Sequence, residues 1–456
     1  MKTNQTILQS VKSVALITAA FLVTALPVTR AQDQTITTVA GSTDDWAFFG
    51  DGGPATEAGF SEIVGVAVLP DGGFLIADAA NNRIRKVDAN GIVTTVAGNG
   101  LGFRHAYSGE GGPATQAVVW YPTGVAPMAD GGFLVAGYGH QRLFKVDPQG
   151  TLTTVVQPSY AWSIKPLTGG GFVVPSYPGI YTLDANGGNF TTVVANHGAD
   201  DVPYGVAATT DGGYLYTDTY RHRVLKAKTD GTITVVAGTG VEGFSGDGGP
   251  ATAARLAYPW DVLALPDGGF LLSDYVNHRI RKVDANGIIT TVAGNGIARD
   301  AGDGGSPLAA SIPWPTALAA TADGGYLIGE WNGRVRKVSP AFIIVAIDIK
   351  PGTYPNSINL GSKGTVPVAI LSSDAFDATT IDPSTVTLAG APIKVANNGR
   401  FLASAQDVDG DGRLDLIVHV DTTALALTGD EDLAILEGQT WAGQLIRGTD
   451  SVRLVP

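Results

Sequence analysis

The chain has 456 residues, no cysteine, 61 glycines and a formal net charge of −13, with 16% of its residues charged. This length allows two or three domains, and the excess of acid argues against nucleic acid or an anionic membrane surface as a partner. No disulfide can stabilise the fold, and the glycine content favours an all-β protein with many tight turns.

The N-terminus has the pattern of an export signal. Lys2 and Lys12 precede the short apolar run VALITAAFLVTAL (14–26), and small residues at Thr29 and Ala31 follow it. We expect residues 1–31 to be a signal peptide cleaved after Ala31, which predicts a secreted or periplasmic bacterial protein without a membrane span after cleavage. An uncleaved N-terminal anchor is the alternative.

A repeat dominates the chain from residue 35 to residue 340. Residues 65–98 and 261–294 are closely similar, and each contains four short β-rich runs, named a to d in chain order, separated by glycine, asparagine and aspartate turns. The a–b turn and the d run each occur six times, but the first d run (35–41) precedes the first a run, and the last c run (334–339) has no d run after it. This offset predicts a six-bladed β-propeller closed by the N-terminal strand.

The units resemble NHL repeats in the segments GVAV-x-PDGG, Asp-x-x-Asn-x-Arg-Ile-Arg-Lys-Val and ITTVAG. The resemblance implies a propeller whose activity ranges, across the family, from pure binding to lyase and esterase chemistry. Amidating lyases are similar propellers that carry zinc-binding histidines where the first strand of a blade, run a, begins. The matching residues here carry no histidine: Val64, Thr123, Tyr204, Trp260 and Thr316. Streptogramin lyases use a histidine near a glutamate, whereas Glu330-Trp331 is followed here by Asn332.

In such a propeller the d–a and b–c loops lie on one face around the central channel. Five of the six histidines fall in these loops, including His105 and His197. The candidate ligand-binding residues are aromatic, imidazole or carboxylate side chains of this face: Tyr138, His140, Tyr177, Asp218, Tyr220, His222, Asp274, Tyr275, His278, Glu330 and Trp331. They indicate a ligand groove or a histidine metal site at the channel mouth, or else ordinary polar loops. No residue is assigned a catalytic role.

Two repeated features are interpreted as structural. The acid and the arginine of Asp-x-x-Asn-x-Arg are predicted to pair within a blade, as Asp78 with Arg83 and Asp274 with Arg279. A glycine-rich insert precedes blades one, two, five and six, at 50–56, 108–115, 246–252 and 302–308. Its proline is predicted to occupy N1 of a helical stub, and its uneven distribution predicts a face that is built up on one side.

Residues 343–456 are predicted to form a β-sandwich module. The segment resembles a domain of secreted bacterial proteins that begins IDIKPG-x-x-PNSINL and ends near DSV-x-x-VP. Within it, Asp407, Asp409, Asp411 and Asp415, with the carbonyl of Arg413, are spaced to hold structural calcium. The alternative is a solvated acidic turn.

Together these patterns predict an exported binding or scaffold protein whose propeller face engages a protein, peptide, glycan or other envelope partner. The main alternative is a propeller enzyme, a lyase or hydrolase that uses the loop histidines with or without a metal. A third hypothesis is a purely structural surface protein.

Overall fold

The computed structural model describes residues 31–32, 34–42, 46–103, 105–158, 160–195, 203–353, 355–427 and 433–455. These residues divide into two compact units. The first lies within Asp33–Ala341, and the second consists of Ala31–Gln32 together with the described residues from Phe342 onward. The predicted signal peptide lies outside the described residues except for Ala31. Strands and short 3-10 turns make up the described secondary structure, and none of it is a helix long and apolar enough to cross a membrane.

The first unit consists of six antiparallel sheets, named blades one to six, each built from four strands that follow one another outward from the centre. Strand β1 (Ala31–Gln32) belongs to the second unit, and β2 (Ile36–Ala40) is the outermost strand of blade six. The other strands of blades one to three are β3 (Ile63–Val68), β4 (Phe74–Asp78), β5 (Arg83–Val87), β6 (Val93–Ala97), β7 (Pro122–Pro127), β8 (Phe133–Gly137), β9 (Arg142–Val146), β10 (Leu152–Val156), β11 (Lys165–Pro166), β12 (Phe172–Ser176), β13 (Gly179–Leu183) and β14 (Thr191–Val194).

Blades four to six are formed by the next part of the chain. Their strands are β15 (Val206–Ala208), β16 (Tyr214–Asp218), β17 (Arg223–Ala227), β18 (Ile233–Ala237), β19 (Gly249–Pro250), β20 (Pro259–Ala264), β21 (Phe270–Asp274), β22 (Arg279–Val283), β23 (Ile288–Ala293), β24 (Pro315–Ala320), β25 (Tyr326–Glu330) and β26 (Arg334–Val338). Strand β19 is a short fifth strand on the outer edge of blade five.

The blades form a closed ring. Buried aliphatic and aromatic side chains collect in six clusters, each of which joins two consecutive blades, and one of them joins blade six to blade one. Strand β2 pairs with β26, with Ile36 opposite Val338, so the N-terminal strand supplies the d strand that the last repeat lacks. The innermost strands approach closely around the channel: a Cβ on Gly205 would lie 2.5 Å from the Cα of Asp261 in the next blade.

The repeated Asp-Gly-Gly turn between the first and second strands is held by its own aspartate. In blade five, Asp267 Oδ1 accepts the N–H of Gly269 and Asp267 Oδ2 lies 2.9 Å from Lys282 Nζ on the third strand. The same pair of contacts recurs in blades one, two, four and six. The motif is therefore turn chemistry and a surface ion pair, worth up to about 1 kcal/mol per blade.

The glycine-rich inserts lie on the outer edge of the propeller, which corrects the prediction that they build up one side of the face. In blade one, Gly52 donates its N–H to Val93 on the outermost strand, and Val93 donates to Gly53. The inserts at 108–115, 246–252 and 302–308 pair in the same way with the outermost strands of blades two, five and six. Each insert thus covers the edge strand of its own blade.

A three-residue 3-10 turn follows the proline in three of these inserts. The turns span Ala55–Glu57, Ala114–Gln116 and Ala251–Ala253, and the preceding proline is the N-cap residue rather than N1. Its φ of −59° and ψ near 130° belong to extended backbone, so the proline ends the edge segment before the turn begins.

The second unit has two main sheets and one hydrophobic core between them. Its remaining strands are β27 (Phe342–Ile344), β28 (Ile347–Ile349), β29 (Ser357–Ile358), β30 (Thr365–Ile370), β31 (Ile381–Leu388), β32 (Ala391–Pro392), β33 (Ala403–Gln406), β34 (Asp415–Asp421), β35 (Leu433–Thr440), β36 (Leu445–Ser451) and β37 (Arg453–Leu454). The sheet orders are β1-β27-β36-β35-β31-β32 and β28-β30-β34-β33. Side chains from both sheets, such as Val368 and Leu436, are fully buried in the shared core.

Candidate functional site

An aromatic surface occupies one end of the propeller channel. It is formed where the innermost strands begin and where the second and third strands of each blade are connected. We define the aromatic face as nine side chains that contact one another in series: Tyr121, Tyr138, Tyr160, Trp162, Tyr204, Tyr220, Trp260, Tyr275 and Trp331.

Trp162, Tyr204 and Trp260 form the centre of this face. The ring centroids of Trp162 and Tyr204 are 4.2 Å apart, and those of Tyr204 and Trp260 are 4.7 Å apart. Trp162 and Tyr204 lie three and two residues before the innermost strands of blades three and four, and Trp260 is the second residue of the innermost strand of blade five, so the propeller symmetry brings them to one point. Tyr138 contacts Trp162 at 4.4 Å, and Tyr275 contacts Trp260 at 4.7 Å, which extends the surface on both sides.

Phenol hydroxyls supply the polar chemistry of the aromatic face. Tyr204 and Tyr220 share a hydrogen bond of 2.7 Å between their hydroxyls, and Tyr121 donates to Glu62 at 2.7 Å. Burial, and then the charge of Glu62, raises the pKa of Tyr275 to about 12; burial also raises the pKa of Tyr121 and Tyr204. These three phenols are therefore neutral at physiological pH and can both donate and accept hydrogen bonds.

The channel below the aromatic face is closed. Lys165 of blade three lies 2.9 Å from Asp261 of blade five and donates to the carbonyl of Leu318 in blade six at 2.7 Å. The cavity above this bridge, lined by Trp162 and Trp260 among others, measures about 10 Å³, which is about the space of one water molecule.

Exposure varies across the aromatic face. Tyr220 and Tyr160 are 59% and 42% exposed, whereas Tyr204 is 8% exposed and Trp331 is half-buried. The outer rings are free to contact a ligand, while the central rings are fixed by packing.

Two of the predicted site histidines connect neighbouring blades. His222 Nδ1 accepts the backbone N–H of Tyr258 at 3.2 Å, and His278 Nδ1 accepts that of Trp314 at 3.1 Å. Asn82 in blade one makes the equivalent bond to Tyr121, and all three acceptor residues have a φ of 53–54°. Each bond fixes the residue that starts the next blade, and it requires a neutral imidazole with its proton on Nε2.

The other loop histidines lie apart from these two. His140 packs edge-on against Trp120 in blade two, and burial followed by the charge of Arg142 lowers its pKa. His105 is exposed, and His197 lies outside the described residues. Within the described ranges, no group of three potential metal ligands includes a histidine.

The predicted site carboxylates at the ends of the second strands are buried rather than open to a ligand. Asp274 accepts the N–H of Ala257 at 2.7 Å and the amide of Asn277 at 2.8 Å, and burial, opposed by these bonds, raises its pKa to about 6. Asp218 pairs with Arg223, and Glu330 is fully buried. Tyr177 is exposed on the equivalent turn of blade three.

The predicted pairing of Asp78 with Arg83 and of Asp274 with Arg279 is wrong. The partners are Arg85, 3.5 Å from Asp78, and Arg281, 3.2 Å from Asp274, and both arginines are fully buried. Arg83 and Arg279 instead donate to backbone carbonyls and lie over the rings of Phe48 and Phe244. Only in blade four, where Leu225 replaces the second arginine, does the predicted arginine, Arg223, bind the acid.

Each buried arginine also binds the acid of a glycine-rich insert. Arg85 lies 2.7 Å from Asp51, Arg281 lies 2.8 Å from Asp247, and Arg336 lies 2.6 Å from Asp303. We call this arrangement of insert acid, buried arginine and second-strand acid the latch. It joins the outer edge cover to the inside of blades one, five and six.

Sequence reasoning missed the residues at the centre of the aromatic face. Tyr204 and Trp260 were considered only as positions that lack metal ligands, and Tyr121, Tyr160 and Trp162 were not considered. The signal that could have found them is their register, since aromatic residues recur just before or at the start of the innermost strands in blades two to five.

The acidic loop of the second unit brings three of the four predicted aspartates together. One oxygen from each of Asp407, Asp409 and Asp415 lies within 4.8 Å of the others. Asp411 points to Arg413 instead, at 2.6 Å. Asp415 is fully buried and accepts the N–H groups of Ser372 and Val408, which fixes one side of the loop.

Comparison with known proteins supports the fold. The NHL repeat family model matches residues 60–87. Teneurin-1 of Mus musculus is 27% identical over 270 residues, and teneurin-1 of Gallus gallus is 28% identical over 280 residues; these matches cover 54% and 57% of this chain. The chain spans about a tenth of the length of these curated relatives, at 9% and 10%.

Two solved structures share the architecture at low sequence identity. They are auxiliary nutrient binding proteins from Bacteroides thetaiotaomicron and Bacteroides ovatus, each with a TM-score of 0.53 and 17% identity. Both matches cover 68% of this chain, and 76% and 77% of those chains. The predicted all-β propeller class is confirmed, and the chain is a β-propeller protein that carries an NHL repeat.

Proposed function

We propose that the protein is an exported binding protein whose aromatic face holds a glycan. The observation that carries this proposal is the continuous series of nine aromatic rings around a closed channel mouth. Rings of this kind offer apolar contact area at low cost in side-chain entropy, with a polar group at the edge of each tyrosine.

A glycan matches this surface better than the other predicted partners do. Pyranose rings have apolar C–H faces that stack on aromatic rings, and hydroxyls around the rim that pair with neutral phenols. The closed channel and the shallow surface suit an extended chain that lies across the face. The acidic net charge disfavours the polyanionic ligands that also stack on aromatic residues.

The comparison with nutrient binding proteins is consistent with this role. The two similar solved structures are auxiliary nutrient binding proteins. That similarity concerns the fold, so the ligand class rests on the aromatic face itself.

Binding of a panel of oligosaccharides and peptides, measured by calorimetry on the mature chain, tests this proposal. We expect an oligosaccharide to bind, and Trp331→Ala and Tyr220→Ala each to weaken binding about tenfold or more, as the loss of an aromatic side chain that contacts the ligand does in other binding sites. Trp441→Ala, which removes a tryptophan that is 69% exposed in the second unit, is the control and should bind normally. Binding of peptides alone, or glycan binding that survives both substitutions, would contradict the proposal.

Export is the second part of the proposal. It rests on the basic and apolar pattern of residues 1–31 and on the small residues at 29 and 31. N-terminal sequencing of the protein recovered from outside the cytoplasm of a bacterial expression host should find Gln32 as the first residue. Recovery of the intact N-terminus in the membrane fraction would support the uncleaved anchor instead.

For the second unit we propose a structural calcium ion held by Asp407, Asp409 and Asp415. Carboxylate oxygens on a tight loop are the donors that Ca²⁺ prefers, and without a cation they repel one another. We expect chelator to lower the unfolding temperature of the wild-type chain, and Asp407→Asn with Asp409→Asn to reduce that response. Asp382→Asn, which changes a half-buried aspartate elsewhere in the unit, should leave the response intact.

A further inference from the structure

Blade six carries a buried group of oxygen atoms that the contacts described above do not satisfy. Glu330, at the end of β25, is fully buried, and neither of its carboxylate oxygens has a hydrogen-bond partner. Beside it, one oxygen of Asp300 and the side-chain oxygen of Asn332 are also buried without a donor. Asn332 is 8% exposed, and the side chain of Asp300 is 10% exposed.

The equivalent acids of blades one and five differ sharply from Glu330. Asp78 accepts the N–H of Ser61 at 2.8 Å and the amide of Asn81 at 2.9 Å. Asp274 makes the same two types of bond. Blade six has a glutamate at this position, and the loop to the next strand is one residue shorter, with Trp331–Gly333 in place of Ala79–Asn82.

The shorter loop redirects the asparagine. Asn332 donates its amide to Asp300 Oδ2 at 2.7 Å, whereas Asn81 and Asn277 donate to the second-strand acid of their own blades. This bond also fixes the orientation of the Asn332 amide, because a flipped amide would place two oxygens against each other. The side-chain oxygen of Asn332 is thus a true acceptor without a donor.

The nearby arginines do not reach good hydrogen-bonding distance of this group. Arg336 Nη1 is 3.7 Å from Glu330 and Arg334 Nε is 3.5 Å from Asp300, both longer than a good charged hydrogen bond. Arg336 is engaged at 2.6 Å by Asp303, and Arg334 donates to the carbonyl of Ser42. Burial first, opposed by Arg336, and then the neighbouring Asp300 carboxyl raise the pKa of Glu330 well above its ordinary value.

Buried carboxylates without partners are costly, so something must pair with these oxygens. A proton shared by Glu330 and Asp300 would satisfy two of the four oxygens, and a water molecule would then be needed for the other two. A cation can accept lone pairs from all of the acceptors at once. Every side-chain atom that could bind the ion is a carboxylate or amide oxygen. The ion that fits is therefore a hard one such as Ca²⁺ or Na⁺ rather than Zn²⁺ or Cu²⁺.

We propose that Glu330, Asp300 and Asn332 form a binding site for a hard cation in blade six, where Glu330 and Asn332 flank Trp331 of the aromatic face in sequence. The site is separate from the acidic loop of the second unit, and its existence does not depend on what the aromatic face binds.

The test uses the full mature chain with Asp407→Asn and Asp409→Asn, so that the acidic loop cannot contribute. Elemental analysis after dialysis, and thermal unfolding with added Ca²⁺, Mg²⁺, Na⁺ or K⁺, report the remaining site. We expect about one equivalent of one of these ions and a rise in unfolding temperature, both lost in Glu330→Gln. Glu437→Gln, which alters an ion pair on the surface of the second unit, is the control and should retain both.

Asn332→Asp separates a cation from a shared proton even if Glu330→Gln fails to fold. A third carboxylate should tighten cation binding and increase the temperature rise that the ion produces. If no ion binds and no ion changes the unfolding temperature, the proposal is wrong. A protonated carboxylic acid detected by infrared spectroscopy, absent from Glu330→Gln, would assign the shared proton and also overturn the cation.

Discussion

Blades one and five differ from blades three and four in how their outer edges are held. In the first pair, a glycine-rich insert covers the edge strand, and the latch ties the insert to a fully buried arginine, Arg85 or Arg281. In the second pair, the sheets end at β14 and β18 as far as the described residues extend. The position of the buried arginine is taken there by Tyr181 or Leu225.

The side chains on the edge strands follow this difference. Val193 on β14 and Ile233 and Val235 on β18 are 38%, 40% and 36% exposed, whereas Val93 at the start of β6 is fully buried. An uncovered edge presents unpaired backbone N–H and carbonyl groups. The same four-stranded repeat therefore occurs in two versions. In one, the insert and its ion pair cover the edge strand, and in the other the edge strand is uncovered.

Removing the latch arginine should produce the largest effect. Arg281→Met keeps the apolar stem but leaves Asp274 buried without its cation, and we expect unfolding to become easier by about 3–5 kcal/mol at pH 8. The loss should shrink at pH 5, because Asp274 can then take up a proton. Chemical denaturation at both pH values measures the difference.

Asp274→Asn in the Arg281→Met background is the control for this prediction. It removes the uncompensated charge and keeps an acceptor for the N–H of Ala257, so more than half of the lost stability should return. A double variant no more stable than Arg281→Met would show that packing, and not charge, determines the cost.

The overall fold could be predicted because its evidence is local and repeated. Turn residues recur in every unit, and the order of the first and last runs defines the closure by β2 without any knowledge of side-chain packing. The loop face was also predictable, since strand order alone decides which connections share an end of the propeller.

The details of the site could not be predicted, because they depend on contacts between blades. Trp162 and Trp260 resemble core residues in the sequence, and only the ring brings them together. The prediction that Asp78 pairs with Arg83 was wrong, although the two residues lie opposite each other in the register of β4 and β5. Ser61 and Asn81 hold its carboxylate beside Arg85 inside the blade, where Asp51 from the insert also binds the arginine.

The imidazole bonds between blades should make stability depend on pH. Burial, and then Arg279, lowers the pKa of His278, so its contribution is complete above about pH 6.5 and is lost as the pH falls through the lowered folded value. His278→Asn places the residue that Asn82 provides in blade one, which accepts the same type of bond but does not titrate. Between pH 7.5 and pH 5, we expect the wild type to lose up to about 1 kcal/mol relative to this variant.

Comparing the two proteins at each pH isolates the histidine. The pKa values of Asp78 and Asp274 are raised to about 6. The contribution of these two residues to the free energy of unfolding therefore rises as the pH falls from about 6 toward the pKa values of the unfolded chain. They do so equally in both proteins and cancel in the difference. A difference in unfolding free energy that stays constant from pH 7.5 to pH 5 would contradict the assigned role of His278.

Replacing the insert acid should lower the free energy of unfolding less than replacing the buried arginine does. The loss should be larger in blade five than in blade two. Asp247→Asn weakens the contact with Arg281 and the 2.7 Å bond from Thr291, at a position that is 41% exposed, so we expect a loss of about 1 kcal/mol. Glu110→Gln is the matched change in blade two, where Phe144 replaces the arginine, and its cost should be a few tenths of a kcal/mol. Equal losses in thermal or chemical unfolding would show that the latch adds nothing to the insert.

The smallest effect is local and concerns the edge strands themselves. Amide hydrogen exchange should be about tenfold faster, equivalent to about 1.4 kcal/mol, for the outward-facing amides of β14 and β18 than for the Val93 and Ile289 amides, whose strands the inserts cover. Asp247→Asn should bring the Ile289 amide closer to the rate of β18 while leaving Val93 unchanged. Since the insert pairs through its backbone, protection of Ile289 that persists in this variant would mean that the glycine-rich segment alone closes the edge. The ion pair would then serve only to compensate the buried arginine.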